Sequence, residues 1–244
     1  MLRRIAVLAL ALALPSPAQA ASPFLSARPM QAVTTLPAGA SRPFDNAFVY
    51  RPKQKLERSP LIILLHGAGG QASRVVDRYI PVADRRGAVL MALQSSDVTW
   101  RISSSANGQV EFGPDPANLD AALTKLFAQV SIDPERIVLI GFSDGASYAL
   151  SLGLANPELF KSVIALSPGF LSVPRRVDRS QRIFIAHGRK DEILPFSNVT
   201  GNILPTLERA GLRPRTRWFN GGHSVDPGVV EEALDFALGP SPSP

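Results

Sequence analysis

The sequence predicts an α/β fold, a mostly parallel sheet with helices on both faces and no lid domain. Three observations carry that expectation. Short continuous apolar runs, "LIILL" (61–65), "AVLMAL" (88–93), "RIVLI" (136–140), "SVIAL" (162–166) and "RIFIAH" (182–187), read as strands buried on both sides. Most of these runs are separated by segments of helical length, the alternation of β-α-β crossovers. A chain of 244 residues, 45% hydrophobic and 19% charged, suffices for one core and is short for two.

Taken in order, "NAFVYRP" offers a first short strand before the buried strand at 61–65, a helix over 71–84 and the strand at 88–93. Residues 94–113, "QSSDVTWRISSSANGQVEFG", show no clear periodicity and read as a long loop. Such a loop leaves the carboxyl end of a strand, where open α/β sheets bind ligands. Trp100 is therefore expected to contact substrate; the alternative is that it packs over the apolar edge of the loop. A helix over 116–130 leads into the strand at 136–140, a helix from about 144 to 155 and the strands at 162–166 and 182–187. The interval 168–181 is too short to fold into a lid domain. A helix near 198–210, the strand "RTRWF" (215–219) and a helix over 227–238 complete the order. Asp226 followed by Pro227 reads as an N-cap with proline at the first helical position.

The ends read differently from the middle. "MLRRIAVLALALALPSPAQA" runs from Arg3 and Arg4 through the apolar stretch Ile5 to Leu14 and ends on Ala18-Gln19-Ala20. That is the order of a secretory signal peptide over residues 1–20, with cleavage after Ala20 and a periplasmic or secreted product. About ten apolar residues cannot span a bilayer, so no stable membrane anchor is expected after cleavage. Residues 21–46 read as a proline- and alanine-rich, partly ordered extension, residues 47–238 as the α/β domain, and "GPSPSP" (239–244) as a disordered tail. The chain has no cysteine, which excludes disulfides and thiolate metal sites. The formal charge of +6 falls to +4 without the two arginines of the leader, and the remaining bases are scattered. A nucleic-acid partner would need them in a stripe, so none is expected.

The stretch with chemistry in it is "IGFSDGAS" (140–147), which places Gly141 and Gly145 two residues either side of Ser143, between a predicted strand and a predicted helix. The alternative to a reactive hydroxyl is a glycine-containing loop with a serine N-cap. A serine hydroxyl needs a base within hydrogen-bond reach and a third group to orient that base. The chain has three histidines. His66 opens "HGAGG", His187 ends a strand in "IAHGRKDEILPF", and His223 lies in "NGGHSV" after the last strand. Only His223 follows both the serine and a well-placed acid. Three acids are candidates: Asp191, its neighbour Glu192, and Asp226. Asp226 is assigned to the helix cap and Glu192 faces differently, which leaves Ser143, Asp191 and His223, each just beyond the carboxyl end of a strand. Glycines 67, 69 and 70 free the backbone of "HGAGG" to turn its N–H groups toward a developing oxyanion.

In "LLHGAGG", "IGFSDGAS", "HGRKDEILPF" and "GGHS", the chain resembles the α/β-hydrolase superfamily of serine esterases over roughly residues 47–238. It is similar to the carboxylesterase/phospholipase group and to polyhydroxybutyrate-depolymerase and feruloyl-esterase-like proteins. The resemblance implies catalytic roles for Ser143, Asp191 and His223 and an oxyanion hole from the backbone N–H groups of Ala68 and Asp144; apart from it, Gly69 and Trp100 are expected as substrate contacts. It implies neither cofactor nor metal, and a small-molecule or oligomeric ester as substrate. His66 and His187 are then structural, bonding loops near the site. One departure is the side chain of Asp144, an acid placed beside an anionic intermediate. Two further functions fit the same fold: a secreted non-catalytic binding protein and a small peptidase. The complete triad speaks against the first, and the lack of room for a large extra domain against a prolyl-peptidase-like version of the second.

Overall fold

The computed structural model describes residues 22–54, 56–104 and 110–240. The expected signal peptide over 1–20 and most of the expected tail lie outside the described residues. The elements are β1 (Arg42–Phe44), β2 (Ala47–Tyr50), β3 (Ser59–Leu65), α1 (Ala72–Arg86), β4 (Val89–Leu93), β5 (Ile102–Ser104), β6 (Val110–Phe112) and α2 (Asp115–Phe127). They continue with β7 (Ile132–Phe142), α3 (Asp144–Ala155), β8 (Ser162–Leu166), β9 (Arg182–Gly188), α4 (Phe196–Asn198), α5 (Leu204–Arg209), β10 (Arg215–Phe219) and α6 (Pro227–Leu238).

Eight strands form one sheet in the order β1-β2-β4-β3-β7-β8-β9-β10. From β4 to β10 all neighbours are parallel, and β2 joins antiparallel, with Ala47 opposite Leu93. Strand alternation feeds two apolar layers. Leu61, Ile63 and Leu65 of β3 pack with Leu119 and Leu123 of α2 and Leu150 of α3, while Ile62 and Leu64 pack with Val76 and Ala83 of α1 and Val229 and Leu234 of α6. Both faces are covered, which is why the strands read as unbroken apolar runs. Because the central strands are parallel, the loops after β3, β4, β7, β8, β9 and β10 emerge along one edge.

Three details differ from the sequence expectation. The segment 94–113 contains an antiparallel hairpin, β5 against β6, with Ile102 opposite Phe112; strands of three residues are too short for alternation to register. The helix expected near 198–210 is divided by a wider π turn, Val199–Ile203. Pro205 has no N–H to return to the carbonyl four residues earlier, so regular α pairing cannot run through it. Finally, the boundary placed at 46/47 falls inside the β1–β2 hairpin, and the chain before it is packed. Leu25, Ala27 and Leu36 are buried. The N–H of Leu25 donates to Asn156 Oδ1 at 2.8 Å, and those of Ser26 and Ala27 to Asp120 Oδ1 at 2.7 Å.

Candidate active site

Strand β7 ends at Phe142, Ser143 makes the turn, and α3 starts at Asp144. Ser143 holds φ 57° and ψ −123°, the mirror image of the first central position of a type II turn, a region that glycine dominates. The two glycines of the motif are required by space. A Cβ on Gly141 would overlap the carbonyl of Gly145, and one on Gly145 would overlap the carbonyl oxygens of Leu65 and His66. Helix α3 is thereby seated against the ends of β7 and β3. The Ser143 N–H donates to Leu166 O at 2.9 Å and ties the turn to β8.

His223 arrives from the loop after β10 and Asp191 from the loop after β9. His223 Nε2 lies 2.9 Å from Ser143 Oγ, and His223 Nδ1 lies 2.7 Å from Asp191 Oδ2. With the carboxylate accepting, the proton sits on Nδ1 and leaves Nε2 to accept from the serine. The imidazole also packs on Phe142, ring centres 4.8 Å apart. Gly188 allows the two loops to meet, since a Cβ there would overlap the carbonyls of Gly221 and Gly222. Of the three acids weighed from the sequence, Asp191 alone meets His223. Asp226 instead accepts from the Val229 N–H at 3.0 Å as the N-cap of α6.

The Asp191 side chain is fully buried and well supplied with donors. Its Oδ1 accepts from the N–H groups of Ile193 (3.0 Å) and Leu194 (2.8 Å), and its Oδ2 from His223; His187 Nε2, which donates to Leu194 O at 2.7 Å, lies 3.2 Å from Oδ2. Burial pushes this carboxyl up. The hydrogen bond from His223, the Leu194 N–H, the charge of His223 and the Ile193 N–H together outweigh burial and hold it below its ordinary value. The contact from His187 was missed from the sequence; the signal was its spacing of four residues ahead of Asp191, across a strand end.

On the other side of Ser143 lies the turn after β3. Gly67 packs so closely that a Cβ on it would sit 3.2 Å from Ser143 Cβ. The N–H groups of Ala68 and Asp144 have no backbone acceptor among the described residues, whereas Ala146 and Ser147 donate back to Ser143 O at 2.9 and 3.1 Å. The Asp144 carboxylate, the departure noted in the sequence, accepts from Thr99 Oγ1 at 2.7 Å. Gly69 is exposed, in a left-handed conformation (φ 66°), and its N–H is committed to Val98 O at 2.7 Å.

Trp100 requires a correction. Expected as a substrate contact, it is buried, donates from Nε1 to His66 O at 2.6 Å and stacks against Tyr148 with ring centres 5.3 Å apart. The β5–β6 hairpin turns the indole into the core rather than toward the cleft. His66 is structural, as expected. Its Nδ1 donates to Gly67 O at 2.7 Å and its Nε2 accepts from the Ser95 N–H at 3.2 Å, which fixes the neutral tautomer, and burial lowers its pKa. No group of three or more His, Asp or Glu side chains placed to hold a metal occurs among the described residues.

A serine on a strained strand-to-helix turn at the carboxyl edge of this sheet, with acid and histidine following in that chain order, defines an α/β-hydrolase. The chain belongs to the phospholipase/carboxylesterase family, whose model matches residues 116–237, and the esterase PHB depolymerase model matches residues 44–174. It is 31% identical over 121 residues to an acetylxylan esterase of Coprinopsis cinerea, covering 47% of this chain and 32% of that protein. It is 24% identical over 197 residues to feruloyl esterase B of Neurospora crassa, covering 77% of this chain and 67% of that one. The chain spans less than half the length of the first curated relatives it matches. The crystal structure of a Bacillus cereus carboxylesterase superposes with a TM-score of 0.56 at 22% identity, over 78% of this chain and 92% of that one, and supports the fold.

Proposed function

We propose that the protein is an exported serine hydrolase that cleaves carboxylic esters through an acyl-enzyme. The observation that carries this is the unbroken hydrogen-bond chain Ser143–His223–Asp191 at the edge where the parallel strands end. Ser143 Oγ attacks the ester carbonyl as His223 Nε2 takes its proton, and Asp191 holds the imidazole in the tautomer that makes this possible. The carbonyl oxygen, now negative, is met by the N–H groups of Ala68 and Asp144, donors in place before the charge develops. The carbon–oxygen bond to the alcohol then breaks, and the departing alkoxide takes the proton from His223. A water repeats the sequence on the acyl-serine and releases the acid.

The Thr99 hydroxyl supports this assignment of the oxyanion site, because it holds the Asp144 carboxylate in a bond of its own. Gly69, exposed with no atom within 4 Å of its missing Cβ, fits a wall of the substrate cleft. The relatives' names point to esters of small acyl or aryl acids as the first class to try, with hydroxyalkanoate oligomers beside them. Export rests on the leader "MLRRIAVLALALALPSPAQA".

A panel of p-nitrophenyl esters graded from acetate to palmitate, with methyl ferulate and a hydroxybutyrate oligomer, tests the activity on protein beginning at Ala21. Hydrolysis that Ser143→Ala abolishes is the expected result. Equal turnover by the wild type and the alanine variant would overturn it.

A further inference from the structure

A cavity with two adjoining parts lies between α1 and the start of α6. The outer part, about 220 Å³, is walled by Val82 of α1 and by Val225, Pro227 and Val230. The inner part, about 50 Å³, ends against Gly67 and Phe142. Arg78, Tyr79 and Val225 line both. Neither Ser143 nor His223 lines either part, although Gly67 lies against Ser143 and Phe142 packs on the His223 ring.

The walls are apolar, and the polar groups left free among them are donors. Tyr79 is only 6% exposed, and its hydroxyl has no hydrogen-bond partner among the described residues. A tyrosine buried to this degree ordinarily has one. Burial raises the pKa of the phenol against the pull of the Arg78 charge, so the hydroxyl keeps its proton, and the guanidinium lies near enough to be felt there. Arg78 itself is exposed at the mouth. The acid beside it in the lining, Glu231, is held by Arg85 and Arg86, which leaves Arg78 without an acceptor among the described residues. Two donors, one of them charged, call for an oxyanion, and walls of valine and proline call for an apolar body. A cavity of about 150 Å³ holds benzene, so the outer part has room for one ring and a small polar group.

We propose that this cavity is a second binding site, separate from the serine cleft, for a small apolar carboxylic acid in its anionic form. The ring or short chain lies between Val82 and Val230, and the carboxylate accepts from Arg78 and from Tyr79 Oη. Acids of this class are released by the hydrolysis proposed above; that connection rests on the esterase reading, whereas the binding site stands without it.

The test is a titration of the protein with three probes, followed by NMR of the valine methyl groups. Benzoate carries both the ring and the charge, benzamide the ring alone, and acetate the charge alone. Benzoate should shift Val82, Val225 and Val230 saturably and bind more tightly than either of the others. Arg78→Gln changes an exposed side chain, and Tyr79→Phe removes a hydroxyl that has no protein partner to lose, so both variants should fold, which circular dichroism checks. Each should weaken benzoate about tenfold, the low end for losing a hydrogen bond to a charged group, and leave benzamide unchanged.

Benzamide or acetate binding as tightly as benzoate, an unchanged benzoate affinity in either folded variant, or no saturable shift at these valines overturns the proposal. The readout needs no turnover. A wild type that binds benzoate in this way and hydrolyses no ester overturns the esterase reading and leaves the second site standing.

Discussion

Ser143 can be replaced in two ways that are chemically equal and conformationally different. Ser143→Ala and Ser143→Gly both remove the hydroxyl and its 2.9 Å bond to His223, so both should lack turnover. They differ in the Cβ. Holding any residue other than glycine at φ 57°, ψ −123° costs about 1–3 kcal/mol. Glycine loses more backbone freedom on folding, which offsets about 0.5–1 kcal/mol of the relief. The two variants differ by a single methyl group. The glycine variant should therefore exceed the alanine variant in stability by about 0.5–2 kcal/mol. Urea unfolding measures this as a higher midpoint at the same m-value. An alanine variant as stable as the glycine variant, with equal m, would refute the claim that the turn stores strain.

Asp191→Asn should lower kcat by up to roughly 10⁴, the scale seen when a triad aspartate is made neutral. Asp226→Asn should keep turnover and cost about 1 kcal/mol or less as a weakened cap; a dead but folded Asp226→Asn with an active Asp191→Asn would reverse the assignment. Gly188→Ala would force a Cβ into the carbonyls of Gly221 and Gly222 and displace the loop carrying His223. A kcat loss of up to about 10²-fold is expected for such a misplacement, and wild-type turnover would show that the loop is not held there. Acidification should lower the thermal midpoint. Burial lowers the pKa of His66 and of His187, so below about pH 6.5 the unfolded chain takes up protons that the folded one refuses, and stability present above that pH is lost as pH falls toward their folded values. A midpoint that holds steady or rises between pH 8 and 5 would contradict this.

How far the sequence could be read follows from where each signal resides. The strands of the central sheet are buried on both faces, so each is an unbroken apolar run, and Ser143, Asp191 and His223 sit just past such runs. The positions of these three residues are local properties of the chain. The acid could be singled out because Asp-Pro at 226–227 is a helix start, which the Val229 N–H now occupies. Trp100 could not be placed, since its burial depends on a hairpin of three-residue strands that no periodicity announces. His187 was visible as a histidine at a strand end, but its contact with Asp191 depends on the turn through Gly188 and on the loop of His223 folding back over it. Pairings across loops of that kind are set by tertiary packing, and the sequence carries only the glycines that permit them.

The central claim is that Ser143 is a nucleophile activated by His223. The most direct measurement is to treat the native protein with a fluorophosphonate and map the adduct by peptide mass spectrometry. A single phosphonylated serine at 143, lost in His223→Ala and absent from heat-unfolded protein, is the predicted result. An adduct on another serine, or none on folded protein that still hydrolyses esters, would contradict it.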